Sequence, residues 1–104
     1  MIRSPLQAAT IASSETASSE IDLGSAYEFL LLLLPDLTGS TVTVAVSPAS
    51  GGTFYTLDKP DGGGNMTPAK AKAHVIRIGG SQFVKVTSAS SEGATRTFYA
   101  QGFN

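Results

Sequence analysis

Ser40-Thr41-Val42-Thr43-Val44-Ala45-Val46-Ser47 has the pattern of a β-strand. Val42, Val44 and Val46 fall on one face, and Thr41, Thr43 and Ala45 on the other, which is the two-residue period of an extended chain. Turn chemistry brackets it, with Asp36-Leu37-Thr38-Gly39 before and Pro48 and Gly51-Gly52 after. Working outward, residues 10–13, 18–23, 26–34, 53–57, 72–78, 82–88 and 95–101 read as further strands. Gly24, Pro35 and the Ser/Gly segment 89–93 separate them, and Gly79-Gly80 reads as a tight turn joining a hairpin. About eight short strands at this spacing predict an all-β fold, an antiparallel β-sandwich of jelly-roll-like type. Residues 1–9, interrupted by Pro5, are expected to form an N-terminal arm, and residues 10–104 the single sandwich domain. Segment 58–65, with three consecutive glycines, is expected to be a flexible loop.

Composition agrees with strands. The 104 residues fit one core, 24 of them are Ser or Thr, and only 14% are charged. No cysteine is present, so no disulfide or thiolate metal site contributes. A net charge of −1 argues against a nucleic-acid partner, which needs a clustered positive field. The charge is uneven along the chain: up to Asp58 the only base is Arg3, against six acids, while six bases and two acids follow. Either the two halves interleave and cancel, or the molecule has poles suited to head-to-tail contact. The longest apolar run, residues 29–34, is far short of the ~20 residues of a membrane helix, so no membrane partner is expected. No targeting segment is visible, and synthesis in a cytoplasm is expected.

Leu30-Leu31-Leu32-Leu33-Leu34 resists a routine explanation. In an unbroken strand Tyr27, Phe29, Leu31 and Leu33 share one face, and Glu28, Leu30, Leu32 and Leu34 the other. Glu28 marks the second face as the outer one, so Leu30, Leu32 and Leu34 are expected to point away from the core. Three exposed leucines forgo roughly 5–9 kcal/mol of burial, comparable to a small domain's whole stability. Something should cover them: either the chain's own arm, through Ile2, Leu6 and Ile11, or a neighbouring subunit.

The chemistry-bearing residues are few. His74 is the only histidine, sits mid-strand beside Ile76 and Ile78, and has no nucleophile elbow to serve. Asp58, Asp61 and Asn65 flank glycines in oxygen-rich spacing, but turn chemistry explains them and the EF-hand pattern is absent. Gly62-Gly63-Gly64 lacks the Lys-Ser/Thr of a phosphate loop. No catalytic residue, cofactor or metal is predicted. In each of the pairs Phe54-Tyr55 and Phe98-Tyr99 one ring should face in and one out.

Several segments together resemble a family of small tailed-phage virion proteins. They are Ser18-Ser19-Glu20-Ile21-Asp22-Leu23-Gly24, Leu33-Leu34-Pro35 with Thr38-Gly39 and the alternating valines, and Gly52-Thr53-Phe54-Tyr55-Thr56-Leu57. Phe83-Val84-Lys85-Val86-Thr87-Ser88 and Ala94-Thr95-Arg96-Thr97-Phe98 complete the match, which spans about nine-tenths of the chain. The sequence departs from the pattern in having no tryptophan after the Pro35 turn and more glycine at residues 61–65. The resemblance implies a β-sandwich fixed to the capsid exterior as a decoration or cement protein, with the phage major capsid protein and further copies of itself, a homotrimer, as partners. The alternative is a head-fibre or tail module binding carbohydrate or a receptor. The interface residues expected on this basis are Ile2, Arg3, Leu6, Leu30, Leu32, Leu34, Asp58, Asp61 and Asn65.

Overall fold

The computed structural model describes residues 2–104 and is all-β. Six strands are formed: β1 (Gln7–Ile11), β2 (Ile21–Leu33), β3 (Val42–Ser47), β4 (Tyr55–Thr56), β5 (Ala73–Ser88) and β6 (Arg96–Phe103). They pair antiparallel in the order β1-β6-β2-β5-β3-β4. The predicted β-sandwich is correct, but it is made from fewer and longer strands than the eight expected.

Two long strands account for the difference. β2 joins the two segments expected to be separate at Gly24, and β5 joins the two expected to form a hairpin at Gly79-Gly80. Both glycines of that pair have positive φ, 63° and 83°, so they bend β5 without reversing it. Its two halves do not pair with each other: both pair with β2, and the second half also pairs with β3. Ala73–Arg77 lies along β2, and Phe83–Ser88 lies along β3. The bends divide the sheet into two layers, β1-β6-β2-β5 and β2-β5-β3-β4, which close on one core. Ile21, Leu30, Leu32, Val42, Val44, Ile76, Val84, Val86 and Phe98 are all buried there. β3 lies as predicted, with Val42 and Val44 buried and Val46 packed against the core. The aromatic pairs also divide as expected: Phe98 is buried and Tyr99 exposed, while Phe54 is half-buried beneath Lys85 Nζ and Tyr55 is exposed.

The leucine run is where the structure corrects the sequence. Leu30, Leu32 and Leu34 are buried in the core, and Leu31 and Leu33 face outward. The cause lies in the register. From Ile21 to Phe29 β2 takes eight steps, whereas β5 takes seven from Val84 to Arg77, with slips on either side of Tyr27. One net extra residue exchanges the two faces of a strand. Ile21, Leu23 and Tyr27 therefore point inward before the irregularity, and Leu30 and Leu32 after it. Gly24, at φ 84°, accommodates the first slip, and its N–H is held by Asp22 Oδ1 at 2.8 Å.

The expected N-terminal arm is also corrected. Residues 7–9 belong to β1, which pairs with β6 along its whole length. Upstream, Arg3 bridges Phe103, and buried Ser4 donates its N–H to the Gly102 carbonyl at 2.8 Å and accepts the Gly102 N–H at 2.9 Å. The segment satisfies an edge of the sheet, so it is held by backbone pairing. The charged halves interleave: Arg77 pairs with Glu28 and Lys70 with Asp36 across them.

Candidate functional site

The register arranges the outward residues of the first layer as a grid. Phe29 stands opposite Phe103 on one side and Arg77 on the other. Leu31 stands between Gln101 and Val75, and Leu33 between Tyr99 and Ala73. The Phe29 and Phe103 rings are stacked with centroids 5.3 Å apart, a favourable cross-strand aromatic pair. The face is open: Val75 is 65% exposed and Tyr99 43%. A recess of about 230 Å3 lies within it, lined by Arg3, Leu31, Val75, Gln101 and Phe103.

Two arginines bound the aromatic row of the face. Arg77 Nε donates to Glu28 Oε1 at 2.6 Å at one end of the aromatic row, and Arg3 bridges Phe103 at the other. A contiguous apolar surface with a polar margin is the usual form of a protein interaction site. Beside this face, against β5, runs a larger groove of about 480 Å3 with Val75, Ile76, Leu57 and Met66 among its walls.

The residues expected at an interface are dispersed. Ile2, Arg3 and Leu6 are exposed, and Arg3 alone of them lines the recess. Leu30, Leu32 and Leu34 lie in the core and are unavailable. Asp58 and Asn65 bridge each other at the base of their loop, and Asp58 lines the larger groove. Asp61 Oδ1 accepts the Gly63 N–H at 2.8 Å, and Gly62 N–H donates to the Lys59 carbonyl at 2.9 Å. The loop expected to be flexible is thus closed by its own hydrogen bonds. Among the described residues no group of three or more acidic, histidine or cysteine side chains is placed to hold a metal. His74 Nε2 lies 2.8 Å from the Ala69 carbonyl, a contact that ties β5 to the preceding loop.

A comparison with family models finds no match, and neither does a search of curated proteins. Among solved structures, the chain is similar to CBM32-1 from a family 31 glycoside hydrolase of Clostridium perfringens. The TM-score is 0.59 at 15% identity, covering 95% of this chain and 76% of that one. The likeness is one of fold. It supports the sandwich and leaves the binding partner to be argued from this chain's own surface.

Sequence reasoning missed Phe29, Leu31, Val75 and Phe103 as surface residues. The available signal was the leucine run itself, which is apolar on both faces whichever way its phase is set. It missed Glu92 altogether. This carboxylate is buried, and it accepts the Thr38 N–H at 2.8 Å, the Gly39 N–H at 3.2 Å, the Ser88 hydroxyl at 2.7 Å and Arg96 Nε at 3.0 Å. Burial pushes its pKa up, but these four donors outweigh burial and bring it down to about 2. Its role is to fasten the loop before β3 to the loop before β6.

Proposed function

We propose that this chain is a non-catalytic structural module of a tailed-phage virion, docking on the outer surface of the major capsid shell through the open face of β6, β2 and β5. The observation behind this reading is the outward apolar grid of half-buried Phe29, Leu31 and Phe103 beside exposed Val75, on a domain whose core is otherwise closed. The sequence resemblance to head decoration proteins supports a capsid shell as the partner and the capsid exterior as the site of action. A protein that binds only the assembled shell stabilises it by mass action. Self-association into a trimer on the shell would use this face or the β1 edge, since Leu30, Leu32 and Leu34 serve the core.

The test is co-sedimentation with shells assembled from the cognate major capsid protein. Wild-type protein should pellet with the shells, and the Val75→Asp variant should stay in the supernatant with its folding unchanged. Equal pelleting of both would remove the face from the reading.

A second reading, a carbohydrate-binding module on a head fibre or tail, is favoured by the fold likeness to CBM32-1 and by the exposed Tyr55 ring. A protein that ignores shells but is retained on immobilised glycan, with retention lost in Tyr55→Ala, would establish it in place of the first.

A further inference from the structure

β5 is paired on both sides along only part of its length. From Phe83 to Ser88 it has β3 as a second neighbour, but from Ala73 to Arg77 it pairs with β2 alone. The side of residues 75–79 facing away from β2 therefore presents backbone groups with no strand against them. The groove of about 480 Å3 runs along this edge, walled by Val75, Ile76 and Ile78 on one side and Leu57, Asp58 and Met66 on the other.

We propose that this groove receives an extended segment of a partner protein, which adds to β5 as a further strand. An added strand sits ~4.8 Å from its neighbour, and its alternate side chains point into the groove. The walls suit apolar side chains. Arg77 is engaged by Glu28, so among the described residues Asp58 is the charged group of the groove left without an ion pair. A segment with alternating apolar residues and one basic residue complements that chemistry. A second copy of this edge fits poorly, because antiparallel pairing of residues 75–79 with themselves centres on two Arg77 side chains. The groove adjoins the open face and shares Phe29, Val75 and Arg77 with it, but its far wall of Leu57, Asp58 and Met66 lies outside that face.

The probe is the capped peptide Thr-Val-Lys-Val-Thr-Val, followed by amide hydrogen exchange on the whole chain. Saturating peptide should slow exchange at outward-facing amides within residues 75–79 by roughly tenfold. Two N-methylated versions separate strand pairing from apolar adhesion. Methylation along one edge of the peptide should abolish protection, and methylation along the other should leave it. Asp58→Asn should weaken binding several-fold without changing exchange in the free protein. The proposal is overturned by absence of protection at millimolar peptide, by equal binding of both methylated versions, or by protection confined to β1 or β4. Protection that grows with protein concentration in the absence of peptide would assign the edge to a second copy and also overturn it. No shell is present in this assay, so its failure is independent of the capsid reading.

Discussion

Glu92 shows how much one buried carboxylate can organise. Its charge survives burial because every oxygen lone pair that matters meets a donor, three of them from backbone or hydroxyl groups and one from Arg96. Glu92→Gln keeps the shape but turns one acceptor oxygen into a donor facing N–H groups, which should cost about 3 kcal/mol in a urea titration. The pH dependence has a defined sign. With a folded-state pKa near 2 and a usual value of 4.5, Glu92 binds a proton more readily when the chain is unfolded. Its stabilisation is therefore complete above about pH 4.5 and is lost as pH falls towards 2. Glu20, held down by the Gly51 N–H and the Ser50 hydroxyl, adds the same sign. Asp22, held down by Gln82 and the Gly24 N–H, does so too. The urea midpoint of the wild type should fall between pH 5 and pH 2.5, and the Glu92→Gln variant should show a shallower fall. The leucines give a second contrast at this scale: Leu32→Ala should cost about 2–5 kcal/mol because its site is closed on all sides.

The long strands behave as bent elements whose bends are specified by glycine. Gly79 and Gly80 both occupy the left-handed region, where a β-branched residue pays about 1–2 kcal/mol. Gly79→Val should lower the melting temperature by several degrees, whereas Val75→Thr, four residues earlier on an exposed site, should leave it nearly unchanged. Gly102 is required for a different reason. A Cβ there would lie 2.5 Å from the Tyr27 ring, so the buried tyrosine packs directly on β6 backbone. β1 matters as an element because it covers β6. Removing residues 1–9 should therefore destabilise the domain and speed amide exchange in β6, an outcome a free arm would not give.

For the whole molecule, the question is what the open face does for a domain of this size. Val75→Asp places a charge beside Leu31, where it remains solvated, so thermal stability should change by less than about 0.5 kcal/mol. If the proposed docking on the shell is right, binding should be lost, because a desolvated carboxylate without a partner is costly at an interface. Leu32→Asp should do the reverse of what the sequence suggested and unfold the isolated domain, since its side chain is wholly buried. Measuring melting and shell binding for both variants separates the outward face of the sheet, at Val75 of β5, from its core face, at Leu32 of β2.

The β class, the single core, the valine phase of residues 42–46 and the inward and outward division of the aromatic pairs were all legible in the chain. They depend on local period and turn chemistry, which each segment carries within itself. The leucine run also announced that both faces of β2 would be apolar. Which leucines face the core was decided by the tertiary structure, because one extra residue between Ile21 and Phe29, visible only against β5, inverts the phase. The same holds for the pairing of residues 2–9 with β6 and for the Glu92 hub, whose donors lie at Thr38, Gly39, Ser88 and Arg96. A strand's pattern fixes that it has two faces, and only its partners fix which face is inside.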